Sequence, residues 1–232
     1  MMRITVLVLS VLTIISCNAQ NGSASHIDAD KFEAGIINDK DVQILDVRTD
    51  GEFQSGHIKN AFLANWNDSP LFFDRVQYLN KKKPVYIYCL SGARSAAAAQ
   101  WMRQNGYGNV IELTGGIIAW KKAGKPLETI STQKQMTFSE YKALIPDDKT
   151  VLVDVGATWC IPCKKMEPVI AELQKDNSLH FELVKVDAGV NTDVLKELKI
   201  DPIPVFIVYK NGKETWRKEG IASQEELAAQ LQ

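Results

Sequence analysis

The sequence predicts two α/β domains in tandem. The chain has 232 residues, which is enough for two small domains. Apolar runs suited to buried strands alternate with helical segments in two blocks, residues 26–128 and 135–232. Residues 129–134 between the blocks are polar and lack periodicity, so we expect the linker there. Hydrophobic residues make up 45% and charged residues 24%, a balance that argues against a disordered chain, a collagen or a coiled coil.

The first block is predicted to alternate short strands with helices. Apolar runs predict strands at residues 42–47, 84–89 and 109–113. Residues 93–105 are rich in alanine and precede Gly106, which predicts a helix that stops there.

The second block is predicted to begin with a strand and to end with a helix. The predicted elements are a strand at 150–155, a helix at 162–176, a strand at 180–186, a helix at 193–199, strands at 205–209 and 213–219, and a helix at 223–231. Asn211-Gly212 predicts a tight hairpin turn between the last two strands. Ser223 is the predicted N-cap of the last helix.

The beginning of the chain resembles the signal of an exported lipoprotein, over residues 1–17. Arg3 is followed by an apolar stretch at residues 4–15, too short to span a bilayer, and then by Cys17. The resemblance implies that Cys17 is lipidated as the first residue of the mature chain, with residues 18–25 as a flexible tether. The alternative is an ordinary cleaved signal with an incidental thiol at Cys17. Both interpretations predict export, and the lipoprotein interpretation predicts a periplasmic or cell-envelope protein anchored to a membrane.

Charge and cysteine content exclude several classes of protein. The 27 basic and 28 acidic residues give a net charge of −1, so no basic excess indicates a nucleic acid partner. Four cysteines are too few for a disulfide scaffold. A single Cys-x-x-Cys pair without nearby histidine is unlike a zinc site. Because no nucleotide-binding fingerprint occurs, we predict no cofactor and expect electrons to come from a partner.

Cys89 ends the predicted strand 84–89 and precedes a tight loop that contains Gly92. A helix then begins near Arg94. This arrangement directs backbone N–H groups and a helix N-terminus at the sulfur, which favours a thiolate or an anionic persulfide. Arg94 adds a permanent positive charge. The alternative is a buried, inert cysteine at a strand end.

Separate motifs surround Cys89 in a fixed order. They are Asp46-Val47-Arg48, Glu52-Phe53, Gly56-His57-Ile58, Ala61, Cys89-x-x-Gly92-x-Arg94, Gly115-Gly116-Ile117 and Trp120. With these motifs, residues 26–128 resemble a single-domain rhodanese. The resemblance implies that Cys89 accepts sulfur as a persulfide, from thiosulfate or a persulfide donor, and passes it to a thiol acceptor or to cyanide. It also implies a substrate-binding loop made of Leu90, Ser91, Gly92, Ala93 and Arg94.

The loop departs from the rhodanese pattern at Leu90, where many members of the family have arginine. One fewer cation weakens binding of the thiosulfate dianion, so we expect a persulfide donor or a sulfur relay ahead of thiosulfate. Related phosphatases use a longer loop, which disfavours a phosphatase or an arsenate reductase. Asp46, Arg48 and His57 are expected to be structural, because an Asp-Arg pair can fix a strand-to-loop turn.

Cys160 and Cys163 lie at the start of the helix that follows the predicted strand 150–155. Such a pair can close a small disulfide, and the helix N-terminus favours the thiolate of the first cysteine. A structural disulfide and a metal site are the alternatives, but a metal would need further ligands.

The second block resembles thioredoxin. The matching residues are Asp154, Trp159-Cys160-Ile161-Pro162-Cys163-Lys164, Ile203-Pro204 and Gly220. The resemblance implies that Cys160 attacks, that Cys163 resolves and that Asp154 exchanges a proton with Cys163. It also implies that Pro204 is cis, with Trp159, Ile203 and Pro204 against a bound substrate. Ile161 replaces the glycine of thioredoxin. Because the two residues between the cysteines tune the reduction potential, the resemblance does not predict its value.

Together the two sites predict an exported sulfurtransferase that forms a persulfide on Cys89 and is coupled to a dithiol–disulfide oxidoreductase at Cys160 and Cys163. A membrane thiol–electron carrier is the expected electron donor. The alternative is a thiol–disulfide reductase of exported protein disulfides, in which the first domain senses sulfur or recruits substrates. A protein that only stores sulfur on Cys89 is the third possibility.

Overall fold

The first block folds around a five-stranded parallel sheet. The computed structural model of the chain describes residues 25–39, 42–129 and 134–232. Elements of the first block are β1 Ser25–Ile27, α1 Ala29–Asn38, β2 Gln43–Asp46, α2 Asp50–Gln54, β3 Phe62–Leu63, α3 Ser69–Val76, β4 Val85–Tyr88, α4 Ala93–Gln104, β5 Val110–Leu113 and α5 Gly116–Lys122. The strand order is β1-β5-β4-β2-β3, and every neighbouring pair is parallel. Because parallel strands end at one edge, the loops after β2 and β4 lie on the same side of the sheet.

The longer predicted elements of this block are present, with ends that differ by at most one residue from the prediction. Gly106 has a φ of 87°, a left-handed conformation that ends the helix as predicted. Ser25, the last residue of the predicted tether, belongs to β1 and pairs with Ile111 of β5. The predicted signal with Cys17, the rest of the tether, and residues 130–133 of the predicted linker lie outside the described residues.

The second block contains a four-stranded mixed sheet. Its elements are α6 Phe138–Ala143, β6 Thr150–Gly156, α7 Ile161–Lys175, β7 Glu182–Asp187, α8 Thr192–Leu198, β8 Val205–Lys210, β9 Lys213–Glu219 and α9 Gln224–Leu231. The strand order is β7-β6-β8-β9, with β6 parallel to β7 and antiparallel to β8. Strand β6 is central and leads directly to the cysteine pair at the beginning of α7.

Element ends in the second block follow local backbone geometry. Helix α8 stops at Leu198, one residue before the predicted end, because Lys199 adopts a φ of 55°. Strand β7 begins two residues later than predicted, at Glu182. Asn211 and Gly212 both have positive φ, as the predicted hairpin turn requires. Ser223 caps α9 by accepting a hydrogen bond from the N–H of Glu226.

Both sheets are covered on each face by apolar side chains. One of these groups, which we call the Cys89 cluster, packs beside β4. Its buried members are Leu45, Val47, Ala64, Phe72, Val76, Leu79, Val85, Ile87, Cys89, Ala98, Ala99, Met102, Tyr107, Val110 and Ile161. Ile161 is the only one of these residues from the second block, so the two domains share part of a core.

Candidate functional site

Cys89 stands at the carboxyl end of β4 with its sulfur inside the following loop. Gly92 adopts a φ of 113° and donates its backbone N–H to the Cys89 Sγ at 3.1 Å. The Ser95 hydroxyl lies 3.5 Å from the same sulfur. Cys89 is a free thiol and only 1% of its surface is exposed. The loop therefore surrounds a single sulfur with hydrogen-bond donors.

The pKa of the Cys89 thiol is set by two opposing effects. Burial raises the pKa, but hydrogen bonds from the Ser95 side chain and from the backbone of Ser95, Gly92 and Ser91 lower it. The hydrogen bonds outweigh burial, so the pKa lies below its ordinary value. This environment stabilises a thiolate, and the same donors suit the terminal sulfur of a persulfide.

Two glycines hold the Cys89 loop against α5. A Cβ at Gly116 would lie 2.5 Å from the carbonyl oxygen of Cys89, and its φ of 58° also favours glycine. In the absence of a side chain, the N–H groups of Ile117 and Ile118 reach the carbonyls of Cys89 and Leu90 at 2.9 and 3.2 Å. The Gly115-Gly116-Ile117 motif thus fixes the backbone of the loop from behind.

Arg94 is paired with a carboxylate at the rim of the loop. Its guanidinium donates two hydrogen bonds to Glu52, at 2.8 and 2.7 Å. Hydrogen bonds from Arg94, and then from Thr49, lower the pKa of Glu52 to about 2, and Glu52 raises the pKa of Arg94. Leu90 is 40% exposed at the same rim. The charge of Arg94 is therefore shared with Glu52, and an apolar side chain occupies the neighbouring position.

Asp46, Arg48 and His57 are engaged in contacts within the fold. Arg48 forms a buried ion pair with Asp46 at 2.6 Å and donates to the carbonyl of Gly56 at 2.8 Å. The His57 ring stacks on Phe53 at 3.8 Å between ring centres. Burial lowers the pKa of His57. All three side chains are therefore engaged in contacts within the fold, and their structural role stays a prediction.

Cys160 and Cys163 form a disulfide at the beginning of α7. Cys160 is the N-cap residue, and its Sγ accepts a hydrogen bond from the Cys163 N–H at 3.2 Å. The Ile203–Pro204 peptide is cis, which confirms that expectation. The carbonyl oxygen of Ile203 lies 3.8 Å from the Cys160 Sγ. The cis-proline loop thus lies beside the first cysteine.

Asp154 lies behind the cysteine pair, on β6. Burial raises its pKa, Lys185 opposes the shift and Glu167 adds to it. Gly156 keeps the space between them open, because a Cβ there would lie 3.3 Å from the Cys163 Sγ and 3.8 Å from the Asp154 Oδ1. Asp154 and Cys163 line one cavity of about 270 Å³. The Asp154 carboxyl and the Cys163 sulfur therefore face the same cavity, as proton exchange between them requires.

Trp159 joins the second site to the first domain. Its carbonyl accepts the Leu63 N–H at 3.0 Å, its ring lies 6.1 Å from that of Phe53, and the Arg75 guanidinium is 5.6 Å from its ring centre. Ile161, the next residue but one, is buried in the Cys89 cluster. Cys160 between them has no exposed surface.

The structure therefore groups the predicted site residues at two centres in docked domains. Ser91 and Ala93 are exposed on the Cys89 loop, while Leu90 and Arg94 form its rim. Ser95 is a residue that the sequence analysis missed, although its position on the first turn after the loop could have indicated it. Arg75 was also missed, because its contact with Trp159 depends on how the domains pack.

The described residues contain neither a metal-binding cluster nor a membrane-spanning helix. In residues 25–39, 42–129 and 134–232, no group of three or more His, Cys, Asp or Glu side chains could hold a metal ion. No helix within the described part of the chain is long and apolar enough to cross a membrane.

Known proteins match each half of the chain. The rhodanese-like domain family matches residues 28–123, and the thioredoxin family matches residues 132–232. A sulfurtransferase of Allochromatium vinosum is 37% identical over 103 residues, which cover 44% of this chain and 94% of the relative.

Two thioredoxins match the second half. Thioredoxin of Alicyclobacillus acidocaldarius is 32% identical over 96 residues, covering 41% of this chain and 91% of the relative. Chloroplastic thioredoxin Y of Oryza sativa is 36% identical over 100 residues, covering 43% of this chain and 60% of the relative. This chain therefore spans less than two thirds of that last relative's length.

Proposed function

The chain belongs to the rhodanese-like family over residues 28–123 and to the thioredoxin family over residues 132–232, and from this premise we propose that it couples a sulfurtransferase to a dithiol–disulfide oxidoreductase. Cys89 takes up sulfane sulfur, and the second site reduces that sulfur to sulfide. The observation that carries the proposal is the free Cys89 thiol, which Gly92 and Ser95 stabilise as an anion. The disulfide in the docked domain supplies the partner redox couple.

The first step is transfer of sulfur to Cys89. Its thiolate attacks the outer sulfur of the donor, and the donor's S–S bond breaks. A persulfide donor leaves as a thiolate, and thiosulfate leaves as sulfite. Hydrogen bonds from Gly92 and Ser95 then stabilise the charge on the Cys89 persulfide.

The second step is reduction by the cysteine pair. The Cys160 thiolate attacks the outer sulfur, and Cys89 leaves as a thiolate. Cys163 then attacks the Cys160 Sγ, which closes the disulfide and releases hydrosulfide. Two electrons pass from the dithiol to the sulfane sulfur, and an external dithiol restores the pair. Asp154 accepts the proton of the Cys163 thiol, since both line the same cavity.

The rim of the Cys89 loop supports a persulfide as the preferred donor. Arg94 is held by Glu52, and Leu90 carries no charge. A thiosulfate dianion would compete with Glu52 for one guanidinium, whereas a persulfide monoanion needs less compensating charge.

The cellular setting is part of the proposal and rests on the beginning of the chain. We place the protein outside the cytoplasm, in the periplasm or cell envelope, with a lipid anchor at Cys17. There a membrane thiol–electron carrier would return electrons to Cys160 and Cys163. Labelling of cells with a radioactive fatty acid should mark the wild-type chain and leave Cys17→Ser unmarked; equal labelling of both would contradict the anchor.

Mass spectrometry tests the chemistry at Cys89. The reduced Cys160→Ser variant of the full chain, in which the second step cannot remove sulfur from Cys89, is treated with glutathione persulfide, and in parallel with thiosulfate. We expect the gain of one sulfur atom on Cys89, and none on this peptide in Cys89→Ser. Failure of Cys89 to gain sulfur from either donor would contradict the proposal.

The alternative, a reductase of exported protein disulfides, makes a different prediction. Its activity would be lost in Cys160→Ser and unchanged in Cys89→Ser. The proposed function requires both cysteines for sulfide release, so the two variants measured side by side separate the functions.

A further inference from the structure

The first domain covers the face of the second domain that carries Cys160. Residues from three elements make the contact, namely Phe53 of α2, Leu63 of β3 and Arg75 of α3. All three meet Trp159, the residue before Cys160. The contact includes a backbone hydrogen bond, an edge-to-face ring pair and a guanidinium over the indole ring, so it fixes both the position and the orientation of Trp159.

Ile161 shows that the contact reaches the cysteine motif itself. Every other buried member of the Cys89 cluster lies between residues 45 and 110, in the first domain. The half-buried side chains packed on the cluster, Phe62, Trp66, Tyr78 and Trp101, also come from that domain. The 2% exposure of Ile161 therefore depends on docking. A side chain at the centre of the motif anchors it beside the core that contains Cys89.

Arg75 contributes charge to the same contact. It is 6% exposed and donates to the carbonyl of Leu63 at 3.1 Å, while its guanidinium faces the Trp159 ring. Burial lowers the pKa of Arg75, and the carboxylates of Asp50 and Asp201 oppose this. Asp50 belongs to the first domain and Asp201 to the second, so Arg75 is held electrostatically from both sides.

In the docked chain Cys160 has no exposed surface. A folded protein disulfide has to contact the attacking sulfur from the face that Trp159 and Ile203 border. The first domain lies opposite this face, and the cavity between the domains holds only about 160 Å³, too little for a segment of another folded protein. In place of another protein, docking brings the first domain, which carries Cys89, to this face.

We propose that docking through Arg75 and Ile161 dedicates Cys160 to the persulfide on Cys89 of the same chain and excludes protein disulfides. This inference rests on the proposed function and names its substrate. The Cys160 thiolate takes the outer sulfur from Cys89, and the released Cys89 thiolate returns to its loop. Arg75 and Ile161 are positioning residues in this transfer.

The test compares two activities in docking variants of the full chain. Arg75→Met removes the guanidinium without changing the cysteine motif. Arg103→Met is its matched control, because Arg103 is also partly buried but donates to Val110 and Glu112 within the first domain. Ile161→Lys is a second variant that places a charge in the contact, and Leu144→Lys is its control at an exposed position.

The first activity is reduction of insulin disulfides with a small dithiol as electron source. We expect Arg75→Met and Ile161→Lys to reduce insulin about tenfold faster than wild type, with both controls unchanged. The second activity is sulfide release in one turnover after Cys89 has been loaded with sulfur. We expect this rate to fall about tenfold in the same two variants, because transfer within the chain loses its alignment.

Two further measurements separate positioning from other effects. The reduction potential of the pair should be unchanged in Arg75→Met, and far-ultraviolet circular dichroism should show that each variant is folded. Unchanged insulin reduction or unchanged sulfide release in folded Arg75→Met and Ile161→Lys would overturn the inference. If wild-type Cys89 takes up no sulfur, the proposed function fails, and the insulin rates still decide whether docking blocks Cys160.

Discussion

The two reactive sulfurs of this chain, on Cys89 and Cys160, lie at similar places in their domains but have different surroundings. Cys89 and Cys160 each follow a central strand and precede a helix, and both are buried. Cys89 has no second cysteine in its loop, and donors from Gly92 and Ser95 surround its sulfur. Cys160 has Cys163 one turn away. One site is built to hold an extra sulfur, and the other to remove it by forming a disulfide.

This difference teaches how two similar local folds can divide a reaction. The N–H groups of the Cys89 loop stabilise a long-lived anionic persulfide. At Cys160 the neighbouring Cys163 thiol displaces any bound sulfur and so limits the lifetime of the adduct. Changes that interfere with one behaviour should therefore leave the other measurable.

The largest expected effect comes from removing the resolving thiol. In Cys163→Ser, sulfur should pass from Cys89 to Cys160 and remain there, because no second thiol can displace it. Sulfide release in a single turnover should be lost, and peptide mass analysis should find the additional sulfur on Cys160. Cys17→Ser is the control with normal release. Normal release in Cys163→Ser would mean that the pair does not act as proposed.

Removing the Asp154 carboxylate should slow the same step by about 100-fold, the size of a typical general base contribution. Because burial raises the pKa of Asp154, wild-type sulfide release should increase with pH as the carboxylate forms. Asp154→Asn should lack this increase, whereas Asp148→Asn at an exposed position should retain it. The pH profile of single-turnover sulfide release checks both expectations. Identical profiles for wild type and Asp154→Asn would show that Asp154 is not the proton acceptor.

The same substitution should stabilise the fold at neutral pH. The folded-state pKa of Asp154 is raised above its ordinary 3.8, so the unfolded chain loses this proton more easily. The stabilisation from the protonated carboxyl is present below pH 3.8 and is lost as pH rises through the folded value. Urea unfolding should show Asp154→Asn more stable than wild type at pH 7. The difference should shrink in acid; a destabilised variant at pH 7 would contradict the burial argument.

Restoring a cation next to Cys89 should change donor preference. Leu90→Arg should raise kcat/KM for thiosulfate about tenfold, because one charged contact to the dianion contributes about 1.4 kcal/mol. The value for glutathione persulfide should change much less. Leu144→Arg, which adds the same charge far from the loop, controls for net charge. Equal responses of both donors to Leu90→Arg would show that the rim does not select between them.

The smallest effect is expected from removing the Ser95 hydroxyl, which lies beside the Cys89 sulfur. Ser95→Ala should raise the pKa of the Cys89 thiol, since a hydrogen bond to the thiolate is lost. Alkylation of Cys89 by iodoacetamide at pH 7 should slow several-fold, with the rate curve displaced to higher pH. Ser91→Ala retains its backbone N–H and should behave as wild type. An unshifted curve for Ser95→Ala would assign the lowered pKa to the backbone alone.

The elements that sequence patterns predicted are present because they depend on local order, whereas helices α1 and α3 were not predicted. The apolar runs before Cys89 and Cys160 are buried strands as predicted, and Asn211-Gly212 forms the predicted tight turn. Strands β1 and β3 were missed because three and two residues show no periodicity. The pairing of Ser25 with Ile111 places a strand where polar composition had indicated a tether.

At the sites, the sequence located the reactive sulfurs but not the contact between domains. The sequence showed that Ile161 stands where thioredoxin has glycine. The burial of Ile161 in the Cys89 cluster depends on packing between distant segments, which the sequence did not show. Arg75 had no motif of its own, and its place against Trp159 exists only once both domains have folded. Such contacts follow from surface shape, which a local pattern does not contain.

The central claim is that sulfur moves from Cys89 to Cys160 within one chain, and the concentration dependence of sulfide release tests it most directly. Chains reduced at Cys160 and Cys163 are mixed, over a wide range of protein concentrations, with a fixed and saturating excess of glutathione persulfide, and release of the first sulfide is followed with a sulfide electrode. The account predicts a first-order rate constant that is independent of protein concentration, with no release from Cys160→Ser. A rate constant that rises in proportion to protein concentration, or release that persists in Cys160→Ser, would contradict it.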